Sequence, residues 1–150
     1  MKELLEIYRH AWREAGHSGT GRVMLAFHMF CHEDGNLAAD IARDPLNLYL
    51  KAIVDAASGW KSGASTKNYP NYDKMISQLE KETFETQTES GAAWVGEPRK
   101  LIDQIAEYNE EVGGFEIASM QVNFGTVPFN SAERSMRLFG EKVIPHFAAE

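Results

Sequence analysis

A helix between two apolar segments, started by a turn and stopped by two glycines, constrains the fold of this chain most strongly. Residues 92–95 are a short apolar segment, and a Gly-Glu-Pro turn follows them. Pro98 then begins an amphipathic helix that Gly113 and Gly114 end. A long apolar run, residues 115–124, comes directly afterwards. Strand, helix and strand in this order form one crossover unit, so the pattern predicts parallel strands rather than hairpins.

A second apolar run predicts another buried strand. Residues 22–31, RVMLAFHMFC, are almost continuously apolar and lie between turn residues, which is typical of a strand covered on both faces. Helical periodicity occupies much of the remaining chain, and Asp44 with Pro45 predicts a fresh helix start. The alternation of helices and strands predicts the α/β class. The other predicted helices cover residues 2–15, 37–43, 45–57, 73–87 and 131–143.

The predicted sheet is small for the helices around it. Two long strands and one short strand cannot hide both faces and both edges of a sheet. One interpretation is that the chain is the last part of a larger α/β domain. The other is a self-contained α+β domain whose core is mostly helical.

Charge and composition exclude several functional classes. The net charge is -7 and no basic face is visible, so nucleic acid is not an expected partner. Cys31 is the single cysteine, which rules out an internal disulfide and suits a reducing compartment. No apolar run approaches the roughly 20 residues of a membrane span. We therefore expect a soluble cytoplasmic protein without a membrane partner.

Three segments of the chain resemble the C-terminal part of the bacterial luciferase-like flavin-dependent monooxygenases. Residues 92–125, beginning AAWVGEPRKL, follow that family's V-G-x-P turn, helix, glycine stop and final strand. Residues 22–50 resemble the penultimate strand and the excursion after it, and residues 131–147 resemble the last helix. The resemblance implies an α/β fold that is the C-terminal part of a (β/α)8 TIM-type barrel. Residues 1–150 would form a single partial domain, with a helical insertion or lid at about residues 33–90.

The same resemblance implies a function. Members of the family bind reduced FMN and use it to activate O2 and oxygenate a small organic substrate. This chain would lack most of the barrel and many flavin-binding residues, so it would be incomplete by itself. We expect either a homo-oligomer or a complementing N-terminal segment as its partner. The alternative is a stand-alone, non-catalytic α/β module that self-associates or complements a partner chain.

Candidate binding residues lie at the carboxyl ends of the predicted strands, where barrels of this type carry their active groups. On the resemblance, His28, Gln121, Asn123 and Gly125 are candidates for binding the cofactor. Gln121 and Asn123 alternate onto one strand face. His28 could equally be a histidine satisfied within the core, and Gly125 could serve only a turn.

Further candidates lie on the first strand and in the insertion. Phe30, Trp60, Lys67 and Tyr69 are predicted to contact substrate or form a lid, and the alternative for the insertion is a surface loop pinned by its aromatic residues. No catalytic residue is assigned. No metal is expected, because His28 and Cys31 point to opposite faces of a strand.

Overall fold

The computed structural model describes residues 1–60 and 71–148. Within these residues, no helix is both long and apolar enough to cross a bilayer. The described residues form three strands and six α-helices, and one-turn 3-10 helices follow α2 and α6 at Ser58–Trp60 and Ile144–His146. In chain order the elements are α1 (Lys2–Glu14), β1 (Met24–Cys31), α2 (Gly35–Ala57), α3 (Tyr72–Leu79), α4 (Phe84–Glu89), β2 (Ala93–Gly96), α5 (Pro98–Glu111), β3 (Ile117–Gln121) and α6 (Phe129–Lys142).

The strands form one parallel sheet in the order β2-β1-β3. His28 is paired with Ala93 of β2 on one side and with Gln121 of β3 on the other. This confirms the prediction that the two long apolar runs are parallel neighbours whose carboxyl ends lie together. The three-stranded parallel sheet with its helices confirms the predicted α/β class.

Helices cover both faces of the sheet, because the two crossovers run in opposite directions. From β1 to β2 the chain moves one way, and from β2 to β3 it returns past β1. Parallel crossovers are almost always right-handed, so opposite directions place their helices on opposite faces. Two core clusters result. One packs α5 and α6 against Leu25, Phe27, Met29 and Trp94, and the other packs α2 against Phe30, Ala93, Val95 and Phe124.

Helix α2 continues through Pro45, so the predicted restart at Asp44 is wrong. Proline in a helix interior removes one backbone hydrogen bond. Here the buried stripe stays in phase across it, since Ala42, Pro45 and Leu46 all face the core. Tertiary burial of this stripe outweighs the local helix-stop signal. Asp34 caps the start of α2 by accepting hydrogen bonds from the N–H groups of residues 36 and 37.

The predicted helix over residues 73–87 is in fact two helices, α3 and α4. Thr83 begins α4, and its hydroxyl accepts from the Thr86 N–H while the Thr86 hydroxyl accepts from the Thr83 N–H. This capping box uses threonine at its third position rather than the usual glutamate or glutamine. Because threonine stands at that position, the capping box was not recognisable in the sequence and the helix boundary was not predicted. Helix α5 ends as predicted, since the Gly114 N–H bonds to the Asn109 carbonyl and both glycines have positive φ.

Where β3 turns away from β1, the hydroxyl of Ser135 in α6 provides the hydrogen-bond acceptor that a neighbouring strand would otherwise provide. The Cys31 N–H donates to Ser135 Oγ at 2.8 Å, and both side chains are buried. Beyond the pairing of His28 with Gln121, β3 no longer runs beside β1. The serine hydroxyl therefore satisfies a backbone donor that would otherwise be buried without a partner.

We expect Ser135→Ala to lower the free energy of unfolding by about 1–3 kcal/mol, because it leaves the Cys31 N–H buried and unsatisfied. Chemical denaturation measures the change. Ser119→Ala, at an exposed position of β3, is the control and should stay within about 0.5 kcal/mol of the parent chain. Equal losses in both variants would refute this role of Ser135.

Candidate functional site

The strands and α2 enclose a hollow of about 510 Å3 on the α2 side of the sheet. Its size lies within the range of small-molecule sites. His28 and Gln121, both predicted from the sequence, line it together. Its other lining residues are Ala26, Phe27, Ser119 and Met120 of the strands and Tyr49 and Ile53 of α2.

His28 lies between two aromatic rings at the inner end of the hollow. Its ring meets Tyr49 and Phe124 edge to face, with centroid distances of 5.1 and 5.5 Å. Burial lowers the pKa of His28, so the imidazole is neutral at pH 7. A neutral imidazole has one N–H donor and one acceptor nitrogen. His28 is thus both a packed residue and a part of the hollow's lining.

Gln121 and Ser119 provide the other strand-borne polar groups of the lining. Both are exposed. Gln121 is paired with His28 and Ser119 with Ala26, so the two residues are two positions apart and lie on the same face of β3. Gln121 brings one amide acceptor and two donors, and Ser119 brings a hydroxyl. Asn123 is also exposed but lies past the end of β3, outside the lining of the hollow.

Gly125 has a structural explanation that needs no ligand. Its φ is +59°, in the left-handed region that favours glycine, and a Cβ there would overlap the Pro45 carbonyl oxygen. The residue lets the loop after β3 pass directly over α2. Its assignment to the cofactor stays a prediction.

Phe30 is the one predicted substrate or lid residue whose side chain the structure describes. It is 1% exposed and packs under α2, because it follows His28 by two residues where α2 covers that face. In the described structure it is a core residue, and its contact with substrate stays a prediction. Trp60 ends a 3-10 helix after α2. Lys67 and Tyr69 fall outside the described residues.

Cys31 and His32 contribute no reactive group to this site. Cys31 is buried, and burial together with the Glu33 carboxylate raises the pKa of its thiol to about 12. The thiol therefore stays protonated and is a poor nucleophile or metal ligand. His32 Nδ1 accepts from the Asp34 N–H in the turn before α2. Among the residues with described positions, no group of three or more His, Cys, Asp or Glu side chains is placed to hold a metal.

The described lining suits the ring system of a flavin better than its phosphate. Apolar walls from Tyr49 and Ile53 of α2 accompany the polar groups of His28 and Gln121, a mixture typical of small-molecule sites. No Lys or Arg belongs to the described lining. A phosphate would need cations or backbone N–H groups from elsewhere.

Sequence reasoning missed Tyr49, Ile53 and Ser119. Tyr49 and Ile53 are four residues apart on α2, so helical phase places them on one side. That phase was visible in the predicted helix over residues 45–57, but nothing in the sequence placed this side of the helix against the strands. Ser119 is the alternation neighbour of Gln121 and could have been found by the same period-two argument.

The lowered pKa of His28 predicts a pH dependence of stability. Since the unfolded chain binds the proton more readily, stability is unaffected above the unfolded value of 6.5 and is lost as pH falls below it. We expect His28→Gln to lose less stability than the parent chain as pH falls below 6.5, measured by denaturation at each pH. His146→Gln, at an exposed histidine, is the control and should follow the parent. Superimposable pH profiles for all three chains would contradict this assignment.

Comparison with known proteins gives a fold and not a family. No protein family profile matches the chain, and no curated protein matches it. The chain is similar to the crystal structure of the monooxygenase RslO1 from Streptomyces bottropensis, with 24% identity and a TM-score of 0.66 over 98% of this chain and 38% of that one. It is also similar to apo-MsnO8, with 18% identity and a TM-score of 0.52 over 94% of this chain and 40% of that one.

These similarities establish a shared fold with parts of both proteins, the first of which is described as a monooxygenase. The chain spans about two fifths of the length of either solved protein.

Proposed function

We propose that this chain is the C-terminal portion of an FMN-dependent, luciferase-like monooxygenase whose complete form is a (β/α)8 barrel. The observation that carries the proposal is the convergence of His28 and Gln121. The resemblance makes both candidates for the flavin site, and they line one hollow at the carboxyl end of β3 and the middle of β1. Ligands of α/β barrels bind at the carboxyl ends of the strands. The fold shared with RslO1 supports the same conclusion.

The residues of the hollow would bind and orient the flavin ring and a small organic substrate. The neutral imidazole of His28 and the amide of Gln121 can each donate and accept a hydrogen bond along a heterocycle edge. Tyr49 and Ile53 would exclude water from the bound ring. When bound, reduced FMN would supply the electrons that activate O2.

A flavin titration tests the proposal. FMN and riboflavin are added separately to the chain, alone and together with the part of RslO1 that the chain does not match, and flavin fluorescence is followed. We expect the chain alone to bind both flavins equally, because the described lining has no cation for the phosphate. In the sample that contains the RslO1 part, FMN should bind more tightly than riboflavin if that part supplies the cation.

Two histidine variants provide the matched control for this titration. His28→Ala should weaken binding about tenfold through the loss of a buried polar contact. His146→Ala, at an exposed histidine distant in sequence from the hollow, should have no effect. No flavin binding under any condition, or equal effects of the two variants, would refute the proposal.

The second candidate is a non-catalytic α/β module that complements a partner chain. The absence of Lys and Arg from the described lining favours it, because an FMN enzyme must hold the phosphate somewhere. Assays of O2 consumption with reduced FMN and the complementing part separate the two. Consumption that depends on His28 supports the enzyme, and binding of the complementing part without flavin binding supports the module.

A further inference from the structure

The two outer edges of the sheet differ in how their backbone groups are protected. On β2, the Gly96 carbonyl accepts from the His32 N–H on the β1 side. By alternation, the carbonyls of Ala93 and Val95 point outward. Side chains of α5 cover both of them. Gln104 Nε2 donates to Ala93 O at 3.5 Å, and Lys100 Nζ donates to Val95 O at 3.2 Å. Edge strands are commonly blocked by such charged and polar side chains.

The edge of β3 has no such cover in the part of the chain that the structure describes. The Ile117 N–H bonds to Val23 O on the β1 side, so the N–H and C=O groups of Ala118 and Met120 point outward. No described side chain hydrogen-bonds to the backbone of Ile117–Gln121. This edge can accept a further strand.

Apolar surface continues from this edge onto both faces of the sheet. On the α5 and α6 side there is a hollow of about 400 Å3, which we call the Trp94 hollow. Exposed apolar side chains border the edge, with Ile144 at 53% and Phe147 at 46% on this side and Ile117 at 40% on the other. The Trp94 hollow is lined mainly by Trp94, Phe115, Met120, Phe139, Ile144 and Phe147.

We propose that the β3 edge binds a parallel strand of a complementing polypeptide, whose alternate apolar side chains fill the Trp94 hollow. More than half of RslO1 and of MsnO8 has no counterpart in this chain, so proteins of this fold possess further chain that can cover such a flank. A second copy would pair differently, because a two-fold axis between paired β3 edges makes them antiparallel. The strand should be apolar on the side facing the Trp94 hollow, since that hollow is mostly apolar.

This inference rests on one part of the proposed function, that the chain belongs to a larger α/β enzyme, and it does not depend on flavin. Amide hydrogen exchange followed by NMR tests it, with the unmatched parts of RslO1 and MsnO8 as two separate probes. In the free chain, the amides of Ala118 and Met120 should exchange faster than those of Ile117 and Ser119, which face β1. Either probe should slow exchange at Ala118 and Met120 about tenfold or more.

Two substitutions at Ala118 separate edge pairing from other contacts. Ala118→Pro removes an outward N–H while leaving the pairing with β1 intact, and it should weaken binding of the probe about tenfold. Ala118→Val keeps the N–H at a similar side-chain volume and should bind like the parent chain. Circular dichroism of the free variants verifies that both fold.

Several outcomes would overturn the proposal. These are failure of both probes to bind, protection at β2 instead of β3, equal affinities for Ala118→Pro and Ala118→Val, or antiparallel self-pairing of β3 in the chain alone. Protection at Ala118 and Met120 without flavin binding would support the docking edge while refuting the flavin proposal. Flavin binding without protection at Ala118 and Met120 would support the flavin proposal and refute the docking edge.

Discussion

Trp94→Ala should lower the free energy of unfolding by about 3–5 kcal/mol, the largest loss expected from a single truncation in this chain. Trp94 is 0% exposed, and its ring stacks on Phe27 with a centroid distance of 3.8 Å. It joins β2 to the core beneath α5 and also borders the Trp94 hollow. Truncation would enlarge a space that is already incompletely filled, and denaturation with urea measures the effect.

Trp94→Phe should cost much less than Trp94→Ala. The indole Nε1 is buried and has no hydrogen-bond partner among the described residues, so removing it ends an uncompensated desolvation. Phenylalanine keeps most of the stacking on Phe27. Phe129→Ala, at a residue that is 72% exposed, is the control and should change stability by less than about 0.5 kcal/mol. Equal losses for Trp94→Phe and Trp94→Ala would contradict this account of the indole.

Gly125→Ala should destabilise the chain by more than the roughly 1–2 kcal/mol that a left-handed backbone costs an L-residue. The added Cβ overlaps the Pro45 carbonyl oxygen, and a backbone atom inside a helix cannot move aside cheaply. Relief requires α2 to shift, and Tyr49 lies one turn beyond Pro45 on that helix. The shift would therefore also weaken the contact between Tyr49 and His28. Denaturation and the NMR signals of the His28 ring measure the two consequences.

Two further glycine substitutions separate backbone strain from overlap. Asparagine tolerates the left-handed region, so Gly125→Asn would approach the stability of the parent chain only if φ were the sole problem. We expect a partial recovery at most, because the Cβ of asparagine overlaps the Pro45 carbonyl oxygen as well. Gly140→Ala is the control, because a Cβ there meets nothing within 4 Å and the residue lies in α6. It should stabilise the chain by about 0.5–1 kcal/mol. Stabilisation by Gly125→Ala would contradict the close approach of the loop to α2.

The parallel direction of the strands was predictable because it depends on patterns that the sequence carries directly. Residues 92–95 and 115–124 are apolar segments joined by a helix with clear start and stop signals, and strands joined in this way run parallel. The convergence of His28 and Gln121 followed from alternation and from the common direction of the strands. The bounds of β3 were too long, since its last predicted residues leave the sheet where Ser135 takes their place.

The helix boundaries failed where long-range packing opposed a local signal. Asp44 and Pro45 resemble a helix start, yet burial of Ala42 and Leu46 on one stripe keeps α2 continuous. The break between α3 and α4 was missed for the opposite reason, because the capping box at Thr83 lacks its usual partner residue.

The site was predictable only for residues on the strands. Tyr49 reaches the hollow through the placement of α2 over the sheet, which depends on contacts distant in sequence. Phe30 was expected at the site because it lies near the carboxyl end of its strand. The same helix that brings Tyr49 to the hollow covers Phe30, which lies in the core and outside the lining of the hollow.

The most direct test of the account follows the side-chain NMR signals of His28 and Gln121 while FMN is added to the chain, alone and with the unmatched part of RslO1. We predict shifts at His28, Gln121 and Tyr49 that saturate together, with the Trp94 indole signal unchanged by flavin. Shifts confined to the Trp94 hollow, or none at any flavin concentration in either sample, would contradict the assignment of the flavin site.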